Sequence, residues 1–388
     1  MLDKIRIKPG EITVGHELPW PVYDFEEALL LQQSTVIASE KQLNVLMEKG
    51  LYRGLTQEEL KEKKELEEQQ EAAERRKKLI DNPFEMKNSC ALETEQLLKQ
   101  LTIAAPIDVT EITLYISSQI KNCCQRNANA TLAAVHLSEE FSYGILHPLH
   151  TAILCELLMR RLNFTDEQQL TVMSAALTMN VGMYELQNKL FSQTDPLTES
   201  QRLAIKDHPE KSVSILQNAG ITDSHWLTII NQHHERIDGE GYPSKLSGNS
   251  IHQGAKVIAL ADMYSAMITT RSYRKPIMAQ KALKDIFTKR GKSVDDKLAQ
   301  MLIREVGIYP PGSFVKLVNG DTALVIKRAI SKKGGTTAPA VCSIISPRGG
   351  FYERYSTRDS GLDMYKITGM CQPDIDEPIN YPKLWGYG

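Results

Sequence analysis

The spacing of hydrophobic and polar positions changes along the chain, beginning with a short region of alternation. Residues 12–24 (ITVGHELPWPVYD) and 27–37 (EALLLQQSTVI) alternate apolar and polar positions, which predicts two short strands. Ser39 then opens a capping-box pattern before an apolar stripe that ends at Gly50, so a helix is expected there. Residues 1–54 are therefore predicted to form a small α/β N-terminal module.

The next region, Thr56 to Lys78, reads TQEELKEKKELEEQQEAAERRKK and contains almost no apolar residue. Strong helix formers with opposite charges three and four positions apart predict an exposed connecting helix. A coiled-coil or partner-binding rod is the alternative, but the sequence lacks the sustained apolar heptads that such a rod needs. We therefore expect residues 55–105 to form a charged helical connector.

Helical periodicity dominates residues 88–307, as in HTAILCELLMRRL and QQLTVMSAALTM, so the fold class is expected to be mainly α. After Gly312 the period changes to two. SFVKLVNGDTALVIKR predicts a hairpin with Asn319-Gly320 at its turn, and PAVCSII predicts a further strand. Residues 308–388 are therefore predicted to be a small β-rich C-terminal extension.

The composition limits the classes of function that fit the chain. Its 388 residues are 41% hydrophobic, which is enough for a sizeable core. A formal charge of -2 argues against a DNA or RNA partner, although a local basic pocket remains compatible with it. No apolar run approaches the roughly 20 residues of a spanning helix, and the first residues, MLDKIRIKPGEI, lack the apolar core of a signal peptide. We expect a cytoplasmic protein without membrane insertion.

The six cysteines indicate neither a zinc ribbon nor a redox motif. They are scattered without a C-x-x-C pair, at Cys90, Cys123, Cys124, Cys155, Cys342 and Cys371. The adjacent pair Cys123-Cys124 has the residue types of a metal ligand, but it lies in a helical pattern. Two small buried side chains are the simpler interpretation.

The stretch INQHHERIDGEGYP, residues 230–243, is the strongest sign of chemistry in the sequence. It places two adjacent histidines beside a glycine-rich loop, and further metal-binding residue types occur elsewhere in the helical region. A helical bundle can direct such side chains from separate helices to one place. The candidate metal ligands are His147, His208, His233, His234 and Asp262. Taken singly, each also fits an ordinary role at a helix end, in a turn or in a polar pair.

Taken together, these motifs make residues 106–307 resemble an HD-GYP domain, the bacterial branch of the HD superfamily whose members hydrolyse cyclic di-GMP. The resemblance rests on three motifs in order: LTESQRLAIKDHPEKSVSIL, the HHE and DGEGYP run, and KVIALADMYSAMITTRSYRKP. It implies an HD-type helical bundle. It also implies that Arg271 and Arg274 contact the cyclic dinucleotide. The loop Gly241-Tyr242-Pro243 is expected to bind the ligand as well, because glycine allows close backbone approach.

The chain departs from the family where the His-Asp pair itself should stand. Residues 175–183 read AALTMNVGM, so Met179 replaces the histidine, Asn180 the aspartate and Met183 a lysine. In the family the aspartate bridges two metal ions, and a neutral amide cannot offset the repulsion between them. Methionine sulfur is too soft for iron, manganese or magnesium, so Met179 is expected to pack rather than bind metal. By this comparison no intact catalytic set remains.

The ligand sets implied by the resemblance leave the two metal positions unequal. One position keeps only His147 and Asp262, whereas the other keeps His208, His233 and His234. We therefore expect at most one divalent metal ion, such as zinc, iron or manganese, at the three histidines, and no binuclear centre. Hydrolysis of the nucleotide is expected to be weak or absent.

Three functions remain open at this stage. The first is a degenerate HD-GYP domain in cyclic di-GMP signalling that binds the nucleotide or a signalling protein partner. The second is an active metal-dependent phosphodiesterase that produces pGpG or GMP, with Asn180 and water replacing the lost ligands. The third is a helical scaffold that binds neither. Arg271 and Arg274 suit phosphate and guanine edges, although they also fit a solvated helix end. Tyr242 offers a ring on which a base can stack.

Overall fold

The computed structural model describes residues 4–8, 10–48, 51–61, 63–64, 66, 79–137, 141–269, 277–329, 331–332, 335–375 and 378–387. The chain forms two compact units, Met1–Lys78 and Leu79–Gly388. The finer division into four regions that the sequence suggested stays a prediction.

The first unit is built on a small antiparallel sheet with strand order β1-β4-β2-β3. Its elements are β1 (Lys4–Arg6), β2 (Val22–Tyr23), β3 (Leu29–Leu31), α1 (Glu40–Glu48) and β4 (Tyr52–Gly54). The strand β2 is only two residues long, since Pro19 and Pro21 before it have no backbone N–H to donate. Ile7, Leu18 and Leu51 are among the buried residues of its core.

The helix expected after Ser39 is present. The Ser39 hydroxyl accepts the backbone N–H of Gln42 at 3.3 Å, and the Gln42 side chain accepts the N–H of Ala38 at 3.1 Å. Ser39 therefore caps the start of α1, while Gln42 bonds Ala38 rather than the Ser39 N–H that a full capping box uses. Of the predicted connecting helix, residues 57–61 are helical. Residues 67–78 lie outside the described part of the chain.

The second unit begins with a helical bundle, which confirms the mainly α fold class. Its helices are α2 (Pro83–Thr102), α3 (Val109–His136), α4 (Tyr143–Met159), α5 (Asp166–Thr178), α6 (Tyr184–Ser192), α7 (Glu199–Asn218), α8 (Ser224–Gln232), α9 (Gln253–Ile268), α10 (Ala279–Lys289) and α11 (Asp296–Val306). One hydrophobic core extends through them. Helix α4 is buried along its whole length, as expected for a helix that is apolar on all sides.

Two helix starts near the site are fixed by capping boxes. Thr165 and Gln168 cap α5, and Thr198 and Gln201 cap α7 in the same reciprocal way. Each pair satisfies backbone N–H groups that the first turn of a helix leaves unbonded. The caps define where α5 and α7 begin. The end of α5 carries Met179, and the middle of α7 carries His208.

The C-terminal part of this unit is the β-rich extension that the sequence predicted. Its strands are β5 (Phe314–Leu317), β6 (Thr322–Lys327), β7 (Ser331–Lys332), β8 (Gly335–Thr336), β9 (Ala340–Ile345), β10 (Phe351–Asp359) and β11 (Ile367–Met370), followed by α12 (Tyr381–Leu384). Five of them form an antiparallel sheet of order β10-β9-β6-β5-β11, and β7 pairs with β8. The predicted hairpin is β5 and β6, with Gly320 at φ +90° in its turn.

All six cysteines are free thiols, in keeping with the sequence. Within the described ranges, no helix combines the length and apolar character needed to cross a membrane.

Candidate metal site and adjoining cavity

Two buried histidines, His208 in α7 and His233 at the end of α8, have their ring tautomers set by the backbone. Nδ1 of His208 donates to the carbonyl of Ile205 at 2.6 Å, and Nδ1 of His233 donates to the carbonyl of Ile230 at 2.5 Å. A carbonyl oxygen can only accept, so each Nδ1 carries a proton. In the neutral ring, Nε2 therefore keeps a free lone pair.

These two lone pairs face one another. The Nε2 atoms of His208 and His233 lie 3.1 Å apart. Burial lowers the pKa of His208 to about 3 and also lowers the pKa of His233, so both rings are neutral at pH 7. Two nitrogens bound to a tetrahedral metal ion at about 2.05 Å lie roughly 3.3 Å apart. The observed separation therefore fits a shared cation.

His234 completes a group of three, which we call the histidine triad (His208, His233 and His234). Nitrogen atoms of the three rings all lie within 4.8 Å of one another. Burial holds the pKa of His234 well below its ordinary value, so this ring is neutral as well. Three neutral imidazoles with an open fourth position suit zinc and other borderline divalent ions. The residues present thus fit a divalent metal.

The DGEGYP loop is held against the triad by close backbone packing. A Cβ atom on Gly241 would lie 2.5 Å from the backbone N of Arg236 and 2.7 Å from the carbonyl oxygen of His234, so only glycine fits. The ring of Tyr242 lies against the ring of His234, with centroids 4.8 Å apart. The loop and the triad form one packed structure.

Glu235 holds the same loop through hydrogen bonds from the loop's backbone. Its buried carboxylate accepts the backbone N–H groups of Ser244 at 2.7 Å and Leu246 at 2.9 Å. Both oxygens are therefore engaged by the loop. The acid that follows the two histidines in the motif positions the loop in this structure.

His147 and Asp262, the other two predicted ligands, bind each other. His147 Nε2 donates to Asp262 Oδ1 at 2.7 Å, and His147 Nδ1 lies 3.2 Å from the hydroxyl of Ser265. Burial alone would raise the pKa of Asp262, but the hydrogen bond and charge of His147 outweigh it and hold this pKa well below its ordinary range. We call these two residues the His147–Asp262 pair.

The segment that replaces the family's His-Asp motif is docked onto α7. Met179 is fully buried, its carbonyl accepts the hydroxyl of Ser212 at 2.8 Å, and Ser212 in turn accepts the N–H of Gly182 at 2.9 Å. A Cβ on Gly182 would lie 2.7 Å from the carbonyl oxygen of His208. The substituted segment is therefore packed tightly beside the triad.

A cavity of about 490 Å³ opens beside these groups and adjoins both the triad and the pair. His234 and the His147–Asp262 pair line it, together with Asn180, Met183 and Tyr242. Its volume lies within the ordinary range for small-molecule sites. Of the three predicted loop residues, Tyr242 is the one that lines the cavity. Arg271 and Arg274 lie outside the described residues.

Aromatic stacking in the cavity wall escaped the sequence analysis. Tyr143 lies between His147 and Phe191, with ring centroids 4.8 Å and 5.6 Å away and planes within 15° of parallel. Tyr143 precedes His147 by one helical turn, so helix spacing could have indicated that contact. The stacking with Phe191 depends on tertiary packing, and no local pattern signals it.

The structure gathers the five predicted ligands around one region but corrects one detail of their placement. The ligands were expected on separate helices, whereas His233 caps the end of α8 and His234 follows it directly. His147 and His208 lie inside α4 and α7, rather than at a helix end or in a turn.

Comparison with known proteins places this region in a family. An HD domain model matches residues 115–298. The cyclic di-GMP phosphodiesterase PA4108 of Pseudomonas aeruginosa is 27% identical over 203 residues, 52% of this chain and 49% of that protein. The cyclic di-GMP phosphodiesterase PdeB of Borreliella burgdorferi is 26% identical over 185 residues, 48% of each chain. The chain thus spans about half the length of these curated relatives.

Among solved structures, Bd1817, a HDG"Y"P protein from Bdellovibrio bacteriovorus, aligns with a TM-score of 0.49 and 19% identity, covering 77% of this chain and 98% of that chain. The family assignment rests on the sequence matches and on the motifs around the triad. With the HD domain over residues 115–298, the HHE run in the triad and the DGEGYP loop packed against it, the chain is an HD-GYP domain protein.

Proposed function

We propose that this HD-GYP domain holds one divalent metal ion at the histidine triad and binds a cyclic dinucleotide, cyclic di-GMP first, in the adjoining cavity, with weak or no hydrolysis. The observation that carries the proposal is the composition of the metal-ligand group. Among the residues that the structure describes, the group of three converging ligands consists of imidazoles alone. Asn180, a neutral amide, stands where the family has its bridging aspartate.

The metal ion would be zinc, iron or manganese, held by His208, His233 and His234. When bound, it would supply positive charge to an anionic phosphate oxygen in the cavity. The protein's own part is to keep three neutral nitrogens in place, which the backbone carbonyls of Ile205 and Ile230 support. Phe191 and Tyr242 would offer flat apolar surfaces to a nucleotide base.

Weak hydrolysis follows from the charges available for a second ion. Two dications roughly 4 Å apart repel by about 16 kcal/mol at an effective dielectric of 20, and a shared carboxylate ordinarily offsets much of this repulsion. Asn180 carries no charge, and Asp262 is already hydrogen-bonded to His147. At the ligand positions that the family resemblance implies, no free carboxylate therefore remains for a second ion among the described residues.

An active phosphodiesterase is the second candidate, and the position of Asp262 favours it. Its negative charge acts on all three triad histidines, opposing the lowering of their pKa values by burial. A carboxylate that interacts with both the histidine triad and His147 has the right charge to serve two ions. In that case the His147–Asp262 hydrogen bond would open when metal binds.

Metal content and hydrolysis distinguish the two candidates. Purified full-length protein, loaded with manganese, iron or zinc, is analysed for bound metal and assayed for conversion of cyclic di-GMP. We expect one ion per chain and little or no product. The double change Met179→His with Asn180→Asp is the positive control, for which we expect a second ion and a rise in turnover. Two ions and rapid turnover in the unchanged chain would make the enzyme the correct assignment.

Calorimetric titration of the metal-loaded protein with cyclic di-GMP, and separately with pGpG, tests the binding half of the proposal. We expect saturable heat with cyclic di-GMP. If neither ligand produces heat at high concentration, the domain acts as a scaffold or through a signalling protein partner, and the nucleotide-binding proposal is wrong.

A further inference from the structure

Gln187 lines the cavity, and no described residue provides a hydrogen-bond partner for the carbonyl of its side-chain amide. Helix α6 directs Gln187, Leu190 and Phe191 toward the cavity, since residues three and four apart share a helix face. The side chain of Gln187 is only 7% exposed. Its carbonyl Oε1 is buried and has no hydrogen-bond partner among the described residues.

Another glutamine on the same cavity, Gln193, provides the contrast. Its Nε2 donates to the carbonyl of Asp195 at 3.0 Å and to Oε1 of Gln201 at 3.2 Å, and its Oε1 accepts from Gln201 Nε2 at 2.8 Å. The amide of Gln193 is therefore engaged within the protein. The carbonyl of Gln187 has no such partner among the described residues.

Asn180 repeats the pattern at the same cavity. It is 5% exposed, and its Oδ1 is also buried with no hydrogen-bond partner in the described part of the chain. Most buried polar groups in folded proteins are hydrogen-bonded, because leaving one unpaired costs stability. Two unpaired carbonyls on one cavity therefore point to an occupant that brings N–H donors.

The residues that line the cavity limit the chemical class of that occupant. Phe191 and Tyr242 give the cavity aromatic surfaces, which suit a flat ring system. Among purines, the Watson–Crick edge of guanine carries two adjacent N–H donors, whereas that of adenine carries one donor beside an acceptor. A site that offers carbonyl acceptors discriminates against a base that lacks the matching donor.

We propose that Gln187 is a specificity-determining residue that accepts a hydrogen bond from the N–H edge of a guanine base, with Asn180 as a second acceptor. This inference rests on the proposed function, because it requires a cyclic dinucleotide in the cavity. It adds the side chain that selects guanine over adenine.

The test measures the ratio of affinities for cyclic di-GMP and cyclic di-AMP by calorimetry on the full-length, metal-loaded protein. Gln187→Met keeps the length of the side chain and removes its polar atoms, and we expect it to weaken cyclic di-GMP binding by about tenfold while cyclic di-AMP binding stays unchanged. Gln187→Glu keeps acceptor oxygens. Its charge affects both ligands alike, so we expect it to retain the preference for guanine.

Thermal melting of the ligand-free protein separates ligand contact from a structural role. The Gln187 carbonyl has no hydrogen-bond partner among the described residues, so Gln187→Met should leave Tm unchanged or raise it. The matched control, Gln193→Met, breaks the bonds to Gln201 and Asp195, and it should lower Tm without changing the affinity ratio.

The possible results distinguish failure of the proposed function from failure of the inference about Gln187. If the unchanged protein binds neither dinucleotide, the proposed function fails, and this inference fails with it. If the unchanged protein binds cyclic di-GMP but Gln187→Met keeps the same affinity ratio, the inference is overturned and the proposed function stands. A loss of Tm in Gln187→Met equal to that in Gln193→Met would also overturn it.

Discussion

The histidine triad and the His147–Asp262 pair contain similar residue types but leave different atoms free. In the triad, Nδ1 of His208 and of His233 is held by a backbone carbonyl, and both Nε2 atoms point at each other. In the pair, Nε2 of His147 is itself held by a carboxylate. Both regions are built from buried histidines, and they differ in which ring nitrogen the protein occupies.

The difference shows that the partner of the second nitrogen determines whether a histidine is ready to bind metal. A backbone carbonyl three residues earlier is fixed by the helix, so it orients the ring and leaves the other nitrogen open. A carboxylate that takes the free nitrogen satisfies both groups and must be displaced before either can bind an ion. The triad therefore keeps ring nitrogens free for a metal ion, whereas the Nε2 atom of His147 in the pair is occupied by its hydrogen bond to Asp262.

The largest expected effect of this difference is on metal affinity. His233→Ala removes one of three converging nitrogens, so we expect the affinity for zinc to fall by about a thousandfold, or about 4 kcal/mol. His147→Ala should change it by less than about threefold, because this ring is hydrogen-bonded to Asp262. Competition with a coloured chelator measures both affinities. Equal losses in the two variants would show that the pair also binds the ion and would remove the distinction.

The residue types of the candidate site could be predicted from the sequence, because the motifs give them in order. The three triad histidines, the substitution of Asn180 and the helical class all followed from spacing and resemblance. The tautomers of the triad and the hydrogen bond between His147 and Asp262 did not, since periodicity gives the face of a helix but not the partner of a side chain. The unpaired carbonyl of Gln187 likewise depends on tertiary packing, because no described residue places a donor beside it.

The pH dependence of the free energy of unfolding is a second way to distinguish the buried histidines from the His147–Asp262 pair. His150 lies one turn beyond His147, and neither of its ring nitrogens has a partner within the described residues. Burial, with smaller effects from Lys87 and nearby histidines, lowers its pKa to about 3. The unfolded chain binds this proton near pH 6.5, so the stabilisation is complete above that pH and is lost as the pH falls. The expected loss is about 1.4 kcal/mol per pH unit, or about 2 kcal/mol at pH 5.

The measurement is urea unfolding of metal-free protein at pH 7.5 and pH 5, compared with the variant His150→Phe. The variant should lose about 2 kcal/mol less over this interval. Asp262 contributes little to that loss, because its pKa is about 4 in the unfolded chain and lower still in the fold, so the carboxylate is largely ionised in both states from pH 5 to pH 7.5. If His150→Phe loses as much stability as the unchanged chain, the ring is hydrated and titrates normally in the fold.

The smallest expected effect concerns the link between the triad and the substituted segment. Trp226 in α8 donates its indole N–H to the hydroxyl of Thr178 at 3.0 Å, directly before Met179. Thr178→Val keeps the shape and leaves the indole unpaired, so we expect a loss of about 1 kcal/mol in the free energy of unfolding. Thr171→Val, on the same helix but half-buried, is the matched control and should cost less. Metal affinity should stay within about threefold of the original, because the triad is oriented by carbonyls of its own segments. A larger fall in affinity would mean that the end of α5, and not the local backbone, holds the triad in place.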